Sequence, residues 1–158
     1  MIISIIVFLI GFLGLTIIPP GKIGIIERIG KFKFALTGPK KKFLFPFIHQ
    51  VILIDQVNTI KFNRVKLTTH DKDYTVSTEL TYQVLDGKLF FYQRRQAIKT
   101  IKAKLVEQAR NHFSNAHNTI NHDSLKQTLE PVLNDASHAF GFVVLEFNVI
   151  EINVSTSV

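Results

Sequence analysis

The sequence predicts an α+β fold: an N-terminal transmembrane helix, then a mostly antiparallel β-sheet packed with two amphipathic helices. Three observations carry it. Residues 1–18 are uncharged and apolar, with Ser4 and Thr16 as their only polar side chains. Residues 74–84 alternate apolar and polar with period two, the mark of a strand with one buried face. Beyond residue 94 the period changes to three and four.

The elements follow in order. A helix over residues 1–18 would be about 27 Å long, near the ~30 Å of a hydrocarbon core. Its apolar positions run all round, through Ile2, Ile5, Phe8, Leu9, Phe12, Leu15 and Ile18. That suits a membrane anchor better than a core helix, which keeps a polar stripe. A cleaved leader would need a basic start and a small-x-small site, and neither precedes Pro19. Pro19 and Pro20 end the helix. The first basic residues lie just after it, so the rest of the chain is expected on the cytoplasmic side of the cell membrane, as a single-pass protein. The anchor (1–18), a folded domain (19–153) and a short tail (154–158) complete the organisation.

Strand-like runs follow at 22–30, 31–36, 50–56, 59–67 and 74–84, with a turn signal at Thr37–Pro39. On the clearest of them Tyr74, Val76, Thr78, Leu80, Tyr82 and Val84 share one face. A helix is expected over 94–113 from Ile98, Ile101, Leu105, Ala109 and Phe113. A second uses Leu125, Leu129, Val132, Leu133 and Ala136, with Pro131 kinking it or marking its first turn. Phe142–Ile152 is strand-like again.

Charge is uneven. Residues 22–66 hold ten Lys or Arg and two acids; residues 67–158 hold nine and ten. Basic residues beside an anchor meet anionic lipid head groups, at about 1 kcal/mol each. That assigns the charge to a membrane surface and not to nucleic acid. Phe43–Ile48 directly follows Lys40, Lys41 and Lys42. It reads either as a core strand or as a loop whose Phe43, Phe45 and Phe47 enter the lipid interface beside those lysines.

Catalytic chemistry finds little support. There is no Cys, which excludes disulfides and thiolate chemistry. His112, His117 and His122 recur every five residues, a spacing that does not converge on a helix. A metal-dependent enzyme built on that His-rich loop is the weakest reading. No nucleophile elbow, dinucleotide fingerprint or P-loop occurs, so no catalytic residue, metal site or cofactor is assigned.

The order of parts resembles the stomatin/prohibitin/flotillin family, the SPFH or band 7 domain. The resemblance runs over residues 1–153. It rests on the apolar start and the Gly30-Lys31-Phe32 turn; on Phe43–Ile48 with Pro46, then Val51 and Asp55; on Thr69 and Asp71 before a strand closing at Asp86; on Ala109-Arg110; and on Phe140–Val144 with Gly141, then Val149, Glu151 and Ile152. Gly38-Pro39 reverses the family's usual order, and Gln56 replaces a common Arg. The resemblance implies a non-enzymatic membrane scaffold. Such a protein self-associates or co-assembles with longer relatives, and organises lipids or partner membrane proteins such as a protease. Family members usually continue into a coiled-coil helix, whereas this sequence stops at Val158, so it resembles a short form. A monomeric adaptor that binds anionic lipid or a partner protein is the alternative.

Overall fold

The computed structural model describes residues 14–69, 72–115 and 122–155. The chain is α+β and divides into two compact units at Gln56/Val57, with antiparallel sheets and two helices among the described residues. The single sheet expected from the sequence is instead, among the described residues, three small sheets, two in the first unit and one in the second.

The first unit holds β1 (Leu15–Ile18), β2 (Lys22–Arg28), β3 (Lys31–Thr37), β4 (Lys40–Phe43) and β5 (His49–Asp55). β2 is the centre of one sheet, between β3 and β5. β1 and β4 form a separate two-stranded ribbon. Ile18 from β1 and Leu44, just past β4, pack on Ile26 of β2, with Phe34, Leu36 and Val51 around them. β1 lies so close to β2 that a Cβ on Gly24 would come within 2.7 Å of the Ile18 side chain.

β1 corrects the C-terminal end of the expected anchor. Leu15 and Ile18 are not the last turn of a membrane helix; they pair with Phe43 and Lys40 across an antiparallel ribbon. β-branched Thr16, Ile17 and Ile18 favour an extended chain, and β4 supplies the partner. The other anchor positions, Ile2, Ile5, Phe8, Leu9 and Phe12, lie outside the described residues. Among the described residues no helix is long and apolar enough to cross a membrane.

The second unit holds β6 (Val57–Thr68), β7 (Asp73–Val84), α1 (Gly87–Asn115), α2 (His122–His138) and β8 (Phe142–Ser155), with sheet order β6-β7-β8. β7 alternates as its sequence predicts: Tyr74, Val76, Thr78, Leu80, Tyr82 and Val84 are all buried. One extra residue in β6, where Arg64 takes φ 50°, keeps Phe62, Val65 and Leu67 all buried. The helices pack on this sheet and on each other. Ala97, Ile101, Leu105, Ala109 and Phe113 of α1 are buried at four-residue intervals, as are Leu125, Leu129 and Leu133 of α2. Tyr74 and Phe113 stack with ring centres 4.4 Å apart, and Tyr82, Phe90 and Phe142 form a ring cluster.

Three boundaries shift. α1 starts seven residues before the expected 94, because the Asp86 carboxylate accepts the Leu89 N–H at 2.9 Å and caps the helix there. Pro131 lies inside α2 and not at its first turn. β8 continues through Val154 and Ser155, which pair with Tyr74 and Asp73, so the expected tail begins as strand.

Candidate functional site

An apolar surface on the first unit is built by two turns and a ribbon. The first turn joins β2 to β3 through Ile29 and Gly30 alone, with φ of 50° and 70°. Both residues of such a two-residue hairpin need positive φ. Gly30, a family-motif position, takes it freely; a β-branched Ile does so only against steric resistance. Ile29 is nevertheless 79% exposed. Its N–H donates to the Ile48 carbonyl at 3.0 Å, which ties this hairpin to the second turn.

The second turn is Phe45-Pro46-Phe47-Ile48. The Phe45 carbonyl accepts N–H bonds from Ile48 at 3.1 Å and His49 at 2.9 Å. Proline at the second position presets the turn. Buried Leu44 holds one end, and its N–H donates to the Gly14 carbonyl at 2.7 Å. Phe47 is carried at the apex, 98% exposed; Phe45 and Ile48 are exposed beside it. The Phe45 ring meets Phe43 edge-on, with centres 5.7 Å apart. Phe43 pairs across the ribbon with Leu15, and Lys41 with Ile17, and all four are exposed. Phe43–Ile48 is thus the exposed end of β4 and an exposed turn, joined at the one buried residue Leu44, and not a core strand.

Cations flank this surface. Lys40 and Lys41 are exposed on β4, and Lys42 places its ammonium 3.9 Å from the Phe34 ring centre. Arg28, Lys31 and His49 are register partners at the hairpin end of the larger sheet. Exposed apolar side chains beside basic ones suit a boundary between an apolar phase and an anionic one. The sequence singled out Lys40–Lys42 and the stretch Phe43–Ile48, with Phe43, Phe45 and Phe47 as its lipid-facing residues, but missed Ile29. The Ile-Gly pair between Arg28 and Lys31 was the available signal.

Of the other family-motif positions, Asp55, Thr69, Asp86 and Gly141 hold the fold. Asp55 pairs with Lys22 at 2.6 Å. The Thr69 hydroxyl donates to the Lys72 carbonyl at 2.7 Å and closes the β6–β7 hairpin; Asp71 lies outside the described residues. Asp86 caps α1, and its N–H and that of Leu85 donate to the Gly141 carbonyl at 2.9 Å. Gly141 has φ 75°. Arg110 is exposed on α1.

His112 turns its Nε2 to the Ser124 hydroxyl at 3.3 Å and its Nδ1 to that of Thr128 at 3.4 Å, linking the two helices. His122 is exposed at the start of α2, and His117 lies outside the described residues. Among the described residues, no group of three or more His, Cys, Asp or Glu is placed to hold a metal ion.

Comparison with curated proteins finds no match. The family model of the SPFH domain / Band 7 family matches residues 16–158, from β1 through the last strand. The chain belongs to the SPFH domain / Band 7 family.

Proposed function

We propose that this chain is a non-enzymatic scaffold that sits on a membrane surface and organises lipids or partner membrane proteins by assembling with other copies. Its first unit enters the interface of an anionic bilayer through Ile29, Phe43, Phe45, Phe47 and Ile48. Lys40, Lys41, Arg28 and Lys31 lie at head-group level, and residues 1–13 add a further anchor on the cytoplasmic face. Phe47 carries this reading: a phenylalanine almost wholly exposed at the apex of a proline turn costs free energy in water and gains it in an acyl boundary. Family membership supports the scaffold role, since SPFH proteins are often membrane-associated scaffolds.

The chain has no Cys, so a single introduced thiol reports on one place. Full-length Phe47→Cys, carrying an environment-sensitive dye, is reconstituted with vesicles of phosphatidylserine and phosphatidylcholine. The expected result is a blue shift and quenching by quenchers carried on the acyl chains. Gln127→Cys, exposed on α2, should show neither. A dye at position 47 that stays water-like and unquenched would overturn the membrane contact.

A further inference from the structure

We propose that the free edge of β5 takes up an extended, aliphatic segment of a partner protein as an added antiparallel strand, with an acidic residue of that segment opposite His49. The inference rests on the scaffold reading and names the form of the partner that the scaffold holds.

The backbone sets the edge. The Gln56 N–H donates to the Gly21 carbonyl at 2.9 Å, and the Ile29 N–H to the Ile48 carbonyl at 3.0 Å. Both pairs extend the β2–β5 register, which runs unbroken from Lys22 and Asp55 to Arg28 and His49. Hydrogen-bonded pairs alternate along an antiparallel ladder, so Gln50, Ile52 and Ile54 turn their N–H and C=O groups to β2. Val51, Leu53 and Asp55 turn theirs outward, together with the His49 carbonyl. β5 ends its sheet, and among the described residues no strand pairs with it on that side.

Bulges, charges and prolines normally guard such edges. β3, the other edge of the same sheet, carries Lys33 as the extra residue of a bulge. β6 bulges at Arg64, and β8 bulges at Leu145 and Ile150. β5 has no bulge and no Lys, Arg or Pro, and its one acid, Asp55, is held by Lys22 at 2.6 Å. Among the described residues, β5 is thus the one edge of a three-stranded sheet left open.

Side chains and charge select the occupant. Val51 and Leu53 lie on one face of β5, Ile52 and Ile54 on the other, and Leu53 is 46% exposed. A strand laid alongside therefore has aliphatic neighbours on both faces. A lipid chain offers nothing to the outward N–H and C=O groups, so the edge suits a peptide. One end is basic: Lys31, Arg28 and His49 are successive register partners across the sheet. Glu27, next along β2, alternates to the opposite face. A residue opposite His49 extends the basic row and is favoured as an acid. A second copy fits less well. Pairing two β5 strands about Ile52 sets Asp55 opposite His49, but that carboxylate is already held by Lys22, which joins the row as a further cation. An unpaired acid on another protein meets the row without one.

The probe is a dye-labelled peptide, Ser-Thr-Val-Ile-Val-Thr-Glu, whose glutamate falls opposite His49. It is N-methylated at Ile and at the second Thr, where the amides face away from β5, which also stops the peptides from pairing with each other. Fluorescence anisotropy is read on the full chain in nanodiscs of phosphatidylcholine. Saturable binding is expected, with amide exchange slowed at Val51, Leu53 and Asp55. Moving the methyl groups to the two Val amides should weaken binding by about tenfold or more. Replacing the peptide's glutamate by lysine should weaken it by about fivefold. Leu53→Lys should abolish binding while circular dichroism stays unchanged. The two methylated peptides need no protein variant, so the edge is tested even if Leu53→Lys fails to fold. No binding, equal binding of the two methylated peptides, or binding kept by folded Leu53→Lys would each overturn the proposal. Wild-type dimers that Leu53→Lys dissolves would assign the edge to a second copy and overturn it too. Peptide binding without dye insertion at position 47 would sink the membrane contact alone.

Discussion

The two units of this chain use apolar residues in opposite ways. In the second, the large side chains of β7, α1 and α2 are buried at regular intervals, and Tyr82, Leu105 and Phe147 are almost fully enclosed. In the first, Ile17, Ile29, Phe43, Phe45, Phe47 and Ile48 are exposed around a core centred on Ile18, Ile26 and Leu44. Exposed apolar surface does nothing for the stability of an isolated domain, so its concentration in one unit points to an external partner phase. The second unit then carries most of the folding stability, and the first carries the proposed membrane contact.

Substitutions can break or sharpen that contrast. The largest effect is expected at Phe147, fully buried in β8. Phe147→Ala should cost about 3–5 kcal/mol, read as a lower denaturation midpoint. A loss under about 1 kcal/mol would mean that the second unit does not dominate stability. Gly141→Ala comes next. Its φ is 75°, and an added Cβ would lie 2.9 Å from the Asp86 carbonyl oxygen. The expected cost is about 2 kcal/mol, seen in the same melts. Thr78→Val runs the other way. The Thr78 hydroxyl is fully buried without a hydrogen-bond partner, so its removal should stabilise the protein by about 1 kcal/mol. An unchanged or lower midpoint would show that the hydroxyl is satisfied in solution.

Much of the second unit was legible because one buried face imposes a period. β7 needed nothing beyond its alternation, and the four-residue stripe of α1 was visible from Ile101 to Phe113. The first turns of α1 were hidden by the unbroken Leu89–Tyr92 run, although Asp86 marked the cap. In the first unit the sequence signal was weaker. Leu15–Ile18 sits at the end of a long apolar run, and a short apolar run has no period that separates strand from helix. Its strand partner lies some 25 residues away, among lysines that show no strand alternation. The candidate site was half legible for a related reason. Phe45 and Phe47 were conspicuous beside Lys40–Lys42, but exposure is decided by the Pro46 turn and by which residue, Leu44, is buried.

Ile29 gives the smallest effect and the sharpest comparison. An asparagine accepts positive φ more readily than a β-branched residue, so Ile29→Asn should stabilise the chain by about 1 kcal/mol or slightly less. The same change removes an aliphatic side chain from the exposed surface. If the first unit exists for contact, the variant should melt later and yet bind phosphatidylserine vesicles more weakly than wild type. Gains in both would mean that Ile29 lies outside the contact. A loss of stability would mean that it packs on something that only the folded chain in solution supplies. The expected opposition of the two readings follows from its geometry: a residue poorly suited to its backbone, and poorly suited to water, is retained where a third environment suits it.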